Sequence, residues 1–116
     1  MKGDLFYVNY IVECIARIER YSSAGESQFH KDELIQDAVL RNLQVLAESS
    51  QRISAELKER HDGVDWRGLS GFRNVVVHDY LGIHVARVWH IVAVDLPVLK
   101  HHMTLILATL GAPGEP

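Results

Sequence analysis

The segment RNVVVHDYLG, residues 73 to 82, concentrates side chains that can carry out acid–base and phosphate chemistry. An arginine guanidinium can bind two phosphate oxygens at once and stabilise the charge that develops on them. A histidine with a pKa near neutrality can accept or donate a proton. A tyrosine can hydrogen-bond a phosphate through its hydroxyl or stack its ring on a base. The candidate functional residues are Arg73, His78 and Tyr80, with Asn74 and Asp79 as their neighbours.

The three consecutive valines of this segment favour a β-strand by propensity, but propensity is a weak guide. A lone strand in an otherwise helical chain would leave its backbone N–H and C=O groups unpaired, so we predict a helix. Each helical residue turns about 100°, so Arg73 and His78 point roughly 140° away from each other. Either the helix ends near His78, where Gly82 soon follows, or a second copy of the chain, related by a two-fold axis, completes the site.

Apolar residues recur at steps of three and four elsewhere in the chain, which indicates further helices. The predicted helices are residues 5 to 21 after an N-cap at Asp4, about 30 to 58 with a bend, a third from Asp65 or Trp66 through the segment above, and about 83 to beyond Lys100, kinked or split at Pro97. Residues 22 to 29 are predicted to be a loop. Short connections make neighbouring helices antiparallel, so the predicted fold is all-α, an up-and-down four-helix bundle.

The composition is that of one globular domain. The chain has 116 residues, of which 47% are apolar and 23% charged, and we place the domain at residues 1 to 110 with a frayed tail at 111 to 116. The formal charge of −3 at pH 7 does not by itself indicate a nucleic-acid binder, so that function would require a local basic patch. Charged residues interrupt the N-terminal apolar run, the uncharged C-terminal stretch is short, and a single cysteine fits a reducing compartment. We therefore expect a cytoplasmic location.

Other residues with reactive side chains are expected to be structural. Cys14 lies in an apolar-periodic run and is interpreted as a core residue rather than a nucleophile. No two histidines have the i, i+4 spacing of helical zinc ligands, so no metal site is predicted. Trp66 and Trp89 are expected to be core or interface anchors rather than base-stacking platforms. Arg41 and Glu48, seven residues apart on the second predicted helix, form either a solvated face or the polar lining of a dimer cleft.

Four segments in order resemble one family. FRNVVVHDYLGI resembles the R-x4-H-x-Y signature of HepT-like toxins in the HEPN superfamily. DAVLRNLQVLAESSQRIS is similar to that family's second helix, VDWRGLSGFRN to the approach to its motif, and RVWHIVAVDLPVLK to its final helix with the proline. Where the second helix of the family often carries Gly-Glu-Ala, this chain has Ala47, Glu48 and Ser49, which keeps the glutamate.

The resemblance implies a helical bundle that dimerises and acts as a metal-independent ribonuclease centred on Arg73 and His78. It also implies a nucleotidyltransferase partner that acts as an antitoxin and can adenylylate the motif tyrosine, here Tyr80. Asn74 and Asp79 would be helpers. RNA can be cleaved without a metal when its 2′-hydroxyl attacks the adjacent phosphate, and an acid–base histidine with a phosphate-binding arginine suits that reaction.

We therefore expect a ribonuclease toxin of a toxin–antitoxin pair, without a cofactor, whose composite R-x4-H site lies in a homodimer cleft. The alternative is a non-enzymatic helical module that a nucleotidyltransferase binds and adenylylates on Tyr80. A helical dimer without cleavage activity is a third interpretation. Structural roles also stay open, with Arg73 in a surface salt bridge and His78 in the core.

Overall fold

The computed structural model describes residues 3 to 80 and 85 to 110, with only the backbone of residues 78 to 80. The helices are α1 (Asp4–Tyr21), α2 (Glu26–Lys31), α3 (Glu33–Gln51), α4 (Ala55–Arg60), α5 (Trp66–Tyr80), α6 (Val85–His90) and α7 (Leu96–Leu110), and a π-helical turn (Ile91–Asp95) joins α6 to α7. No strand occurs among these residues, so the all-α prediction is confirmed. The predicted tail, residues 111 to 116, lies outside the described residues.

α3 lies between α1 and α5 in the bundle. α1 packs against α3 and α7, and α3 packs against α5. The buried side chains on α1 and α3 recur at steps of three and four, which gives each helix one apolar face. On these two helices the buried apolar side chains are Val8, Ile11, Cys14, Ile15, Ile18, Val39, Leu40, Leu43, Leu46 and Ala47. This arrangement leaves the opposite face of α3 exposed, next to the helix that carries the candidate motif.

Asp4 has a different role from the predicted one. The N-cap of α1 is Gly3, and Asp4 is the first helical residue, so the predicted cap was wrong. The Asp4 carboxylate instead accepts hydrogen bonds from the Ser54 N–H at 2.8 Å and the Ser54 hydroxyl at 2.6 Å. Ser54 follows the C-terminal end of α3, so this contact joins that end to the N-terminal end of α1. These two helices are therefore antiparallel, as expected for an up-and-down bundle.

α2 occurs where the sequence analysis predicted part of a loop. Gly25, with φ of +96°, turns the chain into this short helix, and such a positive φ favours glycine. The buried Phe29 packs against Trp89, with ring centroids 5.2 Å apart. The loop prediction was wrong for these residues because a single buried aromatic in six residues gives no detectable periodicity.

The second predicted helix is divided into α3 and α4. Its predicted start is confirmed, because the Asp32 side chain caps α3 by accepting the N–H groups of Leu34 and Ile35. α3 ends at Gln51, and the Ser54 hydroxyl caps α4 by accepting the Leu57 N–H at 3.2 Å. The predicted bend therefore corresponds to a break of three residues with its own capping serine.

The predicted helix over the valine-rich segment is confirmed as α5. The Asp65 carboxylate accepts the Gly68 N–H at 2.9 Å, which satisfies one of the free N–H groups of the first turn. Val75 and Val76 are buried, whereas Val77 is 57% exposed. The helix continues to Tyr80, so the turns that carry Arg73 and His78 belong to one continuous helix.

α6, the π-helical turn and α7 together form one uninterrupted helix from Val85 to Leu110, which we call the final helix. Its predicted start near Ile83 lies outside the described residues. Pro97 does not split it, so that alternative was wrong. The π-helical turn lies directly before the proline, with the Leu96 N–H bonded to the Ile91 carbonyl, and the wider turn accommodates the residue that lacks an N–H. This helix is long and apolar enough to cross a membrane, but a core helix of a soluble protein passes the same test.

Candidate functional site

Arg73 lies on an exposed part of α5, and its guanidinium reaches the end of α3. Its Nη1–H donates a hydrogen bond to the Gln51 side-chain oxygen at 3.4 Å. Among the described side chains, the two ion pairs join Glu26 to His30 and Glu19 to Lys100, and neither involves Arg73. Within this part of the chain, the arginine is therefore held by a neutral acceptor rather than by a carboxylate.

Gln51, which the sequence analysis did not single out, contacts the candidate residue Arg73. It lies three residues after Glu48 and ten after Arg41, so the three side chains share one face of α3. All three are exposed, and the Glu48 carboxylate accepts a hydrogen bond from the Gln44 amide at 3.1 Å. The contact between Gln51 and Arg73 brings this face next to the motif helix. The helical spacing of Gln51 from Glu48 is the signal that could have identified it.

The remaining motif residues occupy the second half of α5. Asn74 is exposed, and the backbone of residues 78 to 80 forms the end of the helix. The side chains of His78, Asp79 and Tyr80 lie outside the described residues. Five helical residues separate Arg73 from His78, which corresponds to about 7.5 Å along the axis and roughly 140° around it. A straight helix therefore presents these two positions on different sides.

A groove of about 730 Å³ lies between α5 and the final helix. The apolar side chains that line it are Val64, Leu69, Phe72, Val75, Ile91, Val94, Val98 and Leu99, and the titratable ones are Asp65, Arg87, His90, Asp95 and His102. Val94 and Val98 are 49% and 58% exposed. Gly71 also lines the groove, and position 78 falls on nearly the same face of α5 because seven residues make almost two turns. The groove therefore borders the histidine position of the motif.

Cys14 is a core residue, as predicted, and both tryptophans pack against the core. Trp66 is half-buried and donates its indole N–H to the His61 carbonyl at 3.0 Å, while Trp89 packs against Phe29. Cys14 is buried in the core, and burial raises the pKa of its thiol to about 11. Among the described residues, no three His, Cys, Asp or Glu side chains lie together in a way that could hold a metal ion.

The helical fold and a match to a family model show that this is a helical protein of a ribonuclease family. The sequence model of the family described as Ribonuclease HepT-like matches residues 11 to 106. The chain belongs to this family, so the resemblance inferred from the motif segments is confirmed. The matched range includes the face of α3, the whole of α5 and most of the final helix.

Three similar proteins have names that agree with this family. "Probable ribonuclease HepT" of Thermococcus cleftensis is 33% identical over 95 residues, covering 81% of this chain and 86% of the relative. "Putative RNase TTE0752" of Caldanaerobacter subterraneus subsp. tengcongensis is 29% identical over 92% of this chain and 96% of the relative. "Gamma-glutamylcyclotransferase and putative RNase MJ0434" of Methanocaldococcus jannaschii is 29% identical over 95% of this chain, which spans only 50% of that relative. No solved structure matches the chain.

Proposed function

We propose that this chain is a metal-independent endoribonuclease and the toxin of a toxin–antitoxin pair, acting on RNA in the cytoplasm. The observation that carries the proposal is the state of Arg73. Its guanidinium is exposed, contacts the neutral Gln51 and has no carboxylate partner among the described side chains. An arginine in this state keeps its charge and its remaining N–H donors for a phosphate group. Family membership and the names of the relatives support RNA as the source of that phosphate.

The proposed reaction uses the RNA's own 2′-hydroxyl as the nucleophile. His78 acts as the acid or base that moves the proton, and Arg73 binds the phosphate oxygens and stabilises the charge that develops on them. Asn74 and Asp79 assist from neighbouring positions, and Tyr80 lies two residues beyond the histidine. The products are a 2′,3′-cyclic phosphate and a free 5′-hydroxyl, and the reaction requires no cofactor.

The proposed site is composite, with groups from two copies of the chain. Two observations support a homodimer with α5 and the final helix near its two-fold axis. The first is the angular separation of positions 73 and 78 on one continuous helix. The second is the apolar groove between these helices, with Val94 and Val98 half-exposed on its wall. Arg41 and Glu48 would line the cleft, because their face of α3 continues to Gln51 and Arg73.

The proposed protein partner is a nucleotidyltransferase-type antitoxin that adenylylates Tyr80. Adenylylation would add a bulky, negatively charged group two residues from His78, and that charge would repel the RNA backbone. The partner would therefore silence the site without unfolding the toxin.

The test is RNA cleavage by the purified protein in excess chelator. We expect cleavage to persist, with products that end in 2′,3′-cyclic phosphate, and His78→Ala to abolish it while circular dichroism shows an intact fold. If the chelator abolishes cleavage and a divalent ion restores it, the mechanism is not metal-independent. If the wild type binds the nucleotidyltransferase but cleaves no RNA, the function is that of a binding and modification module.

A further inference from the structure

The contact between Arg73 and the end of α3 uses only part of the guanidinium. An arginine has five N–H donors in a planar fork, and the hydrogen bond to Gln51 occupies one of them. The remaining donors are sufficient for a two-point contact with phosphate oxygens. The Gln51 side chain therefore restrains the direction of the guanidinium, and the other described side chains leave its remaining donors available.

The chemical nature of the acceptor matters as much as its position. A carboxylate at position 51 would pair with the guanidinium, and an incoming phosphate would have to displace it. The amide oxygen of Gln51 accepts the same N–H without a negative charge. The C-terminal end of α3 adds only the partial negative charge of its aligned peptide dipoles, which attracts the arginine without neutralising it.

The backbone that carries Gln51 is fixed on both sides. One residue before it, the buried Ser50 hydroxyl donates to the Ala47 carbonyl at 2.7 Å. Three residues after it, Ser54 is held by two hydrogen bonds to the Asp4 carboxylate. The helix end is therefore attached to α1, and the α1–α3 core determines where the Gln51 side chain emerges.

From these contacts we infer that Gln51 is a positioning residue for Arg73, which directs the guanidinium toward the RNA phosphate and keeps its positive charge unpaired. This inference rests on the proposed function, because the phosphate is that of the cleaved RNA. Gln51 acts through Arg73 rather than on the substrate. Gln51 therefore determines how strongly Arg73 can bind the phosphate during the reaction.

Two substitutions at Gln51 separate its effect on the orientation of Arg73 from its effect on the charge of Arg73. Gln51→Glu keeps the size of the side chain but adds a carboxylate beside Arg73. We expect kcat/KM to fall about tenfold or more, since a hydrogen bond to a charged group is worth about that factor. The dependence of RNA binding on salt should become shallower by about 0.7 in the log–log slope, because one phosphate contact is lost. Gln51→Ala should lower kcat while leaving the salt slope unchanged.

Asn9→Asp is the matched control. It makes the same amide-to-carboxylate exchange at an exposed position of α1, a helix that packs against α3 and α7. We expect its activity and salt slope to equal those of the wild type. Thermal unfolding of all variants should be close to that of the wild type, because positions 9 and 51 are both exposed.

RNA binding in an Arg73→Ala background completes the test. The inference predicts that Gln51→Glu has no further effect on affinity once the arginine is absent. If Gln51→Glu weakens binding equally in both backgrounds, or behaves like Asn9→Asp while Arg73→Ala abolishes cleavage, the positioning role is wrong and the ribonuclease proposal stands. If the wild type cleaves no RNA, or Arg73→Ala cleaves it normally, the proposed function is wrong and the inference falls with it.

Discussion

At the scale of single residues, Arg73 supplies both a positive charge and a planar group of N–H donors, and a lysine can replace only the charge. Arg73→Lys loses the paired N–H donors that match two phosphate oxygens. We expect kcat/KM on a short RNA to fall by about a hundredfold or more, the effect typical of losing a donor that stabilises a developing charge. Arg67→Lys, at an exposed position six residues earlier on α5, is the control. Equal activity of the two variants would contradict a phosphate-binding role for Arg73.

Tyr80→Phe separates the two roles proposed for the tyrosine, because it keeps the ring and deletes only the hydroxyl. If the hydroxyl is mainly the acceptor for adenylylation, the variant should remain toxic to cells and escape neutralisation by the antitoxin. If the hydroxyl also holds the phosphate, toxicity should fall as well. Growth assays with and without the antitoxin distinguish these results. A variant that is still neutralised normally would contradict modification at Tyr80.

Cys14 provides a probe of the fold because burial raises its pKa from 9.0 to about 11. Only the thiolate reacts, so we expect thiol reagents to label the native chain slowly at pH 7.5 and the urea-unfolded chain rapidly. The folded state holds the proton more tightly than the unfolded state. The stability linked to this group is therefore complete below pH 9 and is lost as pH rises toward 11. Labelling of the native chain at the rate of a free thiol would contradict the core assignment.

At the scale of helices, the sequence was informative wherever apolar periodicity was long. It predicted α1, the start of α3, α5 and the final helix, because each buries one face over several turns. It did not predict α2 or the separate α4, which are six residues long and buried through single residues. It also did not predict that a π-helical turn would accommodate Pro97, since that depends on packing along the whole helix.

Two glycines in α5 should respond differently to alanine. A Cβ at Gly68 would overlap the Asp65 carboxylate, so the carboxylate must rotate away from the Gly68 N–H that it caps. The lost cap costs about 1 kcal/mol and offsets the helix-propensity gain of alanine, so we expect Gly68→Ala to leave the free energy of unfolding nearly unchanged. A Cβ at Gly71 meets no atom within 4 Å, so Gly71→Ala should raise the free energy of unfolding by about 0.5–1 kcal/mol. Urea unfolding measures both, and an equal gain from the two substitutions would contradict the capping role of Asp65.

At the scale of the whole molecule, the chain forms an elongated bundle of 48 × 26 × 24 Å with a formal charge of −3. The sequence analysis proposed Arg73 and the α3 face with Arg41 and Glu48 as candidates, but not Gln51, which links them in the structure. Gln51 touches Arg73 only because α3 ends beside the middle of α5. This contact between residues 22 positions apart in the sequence depends on tertiary packing and is not encoded in any local pattern.

The composite site makes a prediction that a site within one chain does not. Arg73→Ala and His78→Ala are each expected to be inactive as homodimers. When the two variants are unfolded together and refolded at equal amounts, half of the dimers contain one chain of each. Each such dimer has one site with both mutations and one site with both native groups, so about a quarter of the wild-type activity should return.

The control is the same mixing with a chain that carries both substitutions. Arg73→Ala mixed with the double variant has no native arginine in any dimer and should stay inactive. Light scattering must also show dimers at micromolar concentration, because a monomer cannot form a shared site. If the dimers form and the first mixture also stays inactive, Arg73 and His78 act from the same chain. Both side chains would then have to reach one phosphate from positions about 140° apart on the same continuous helix.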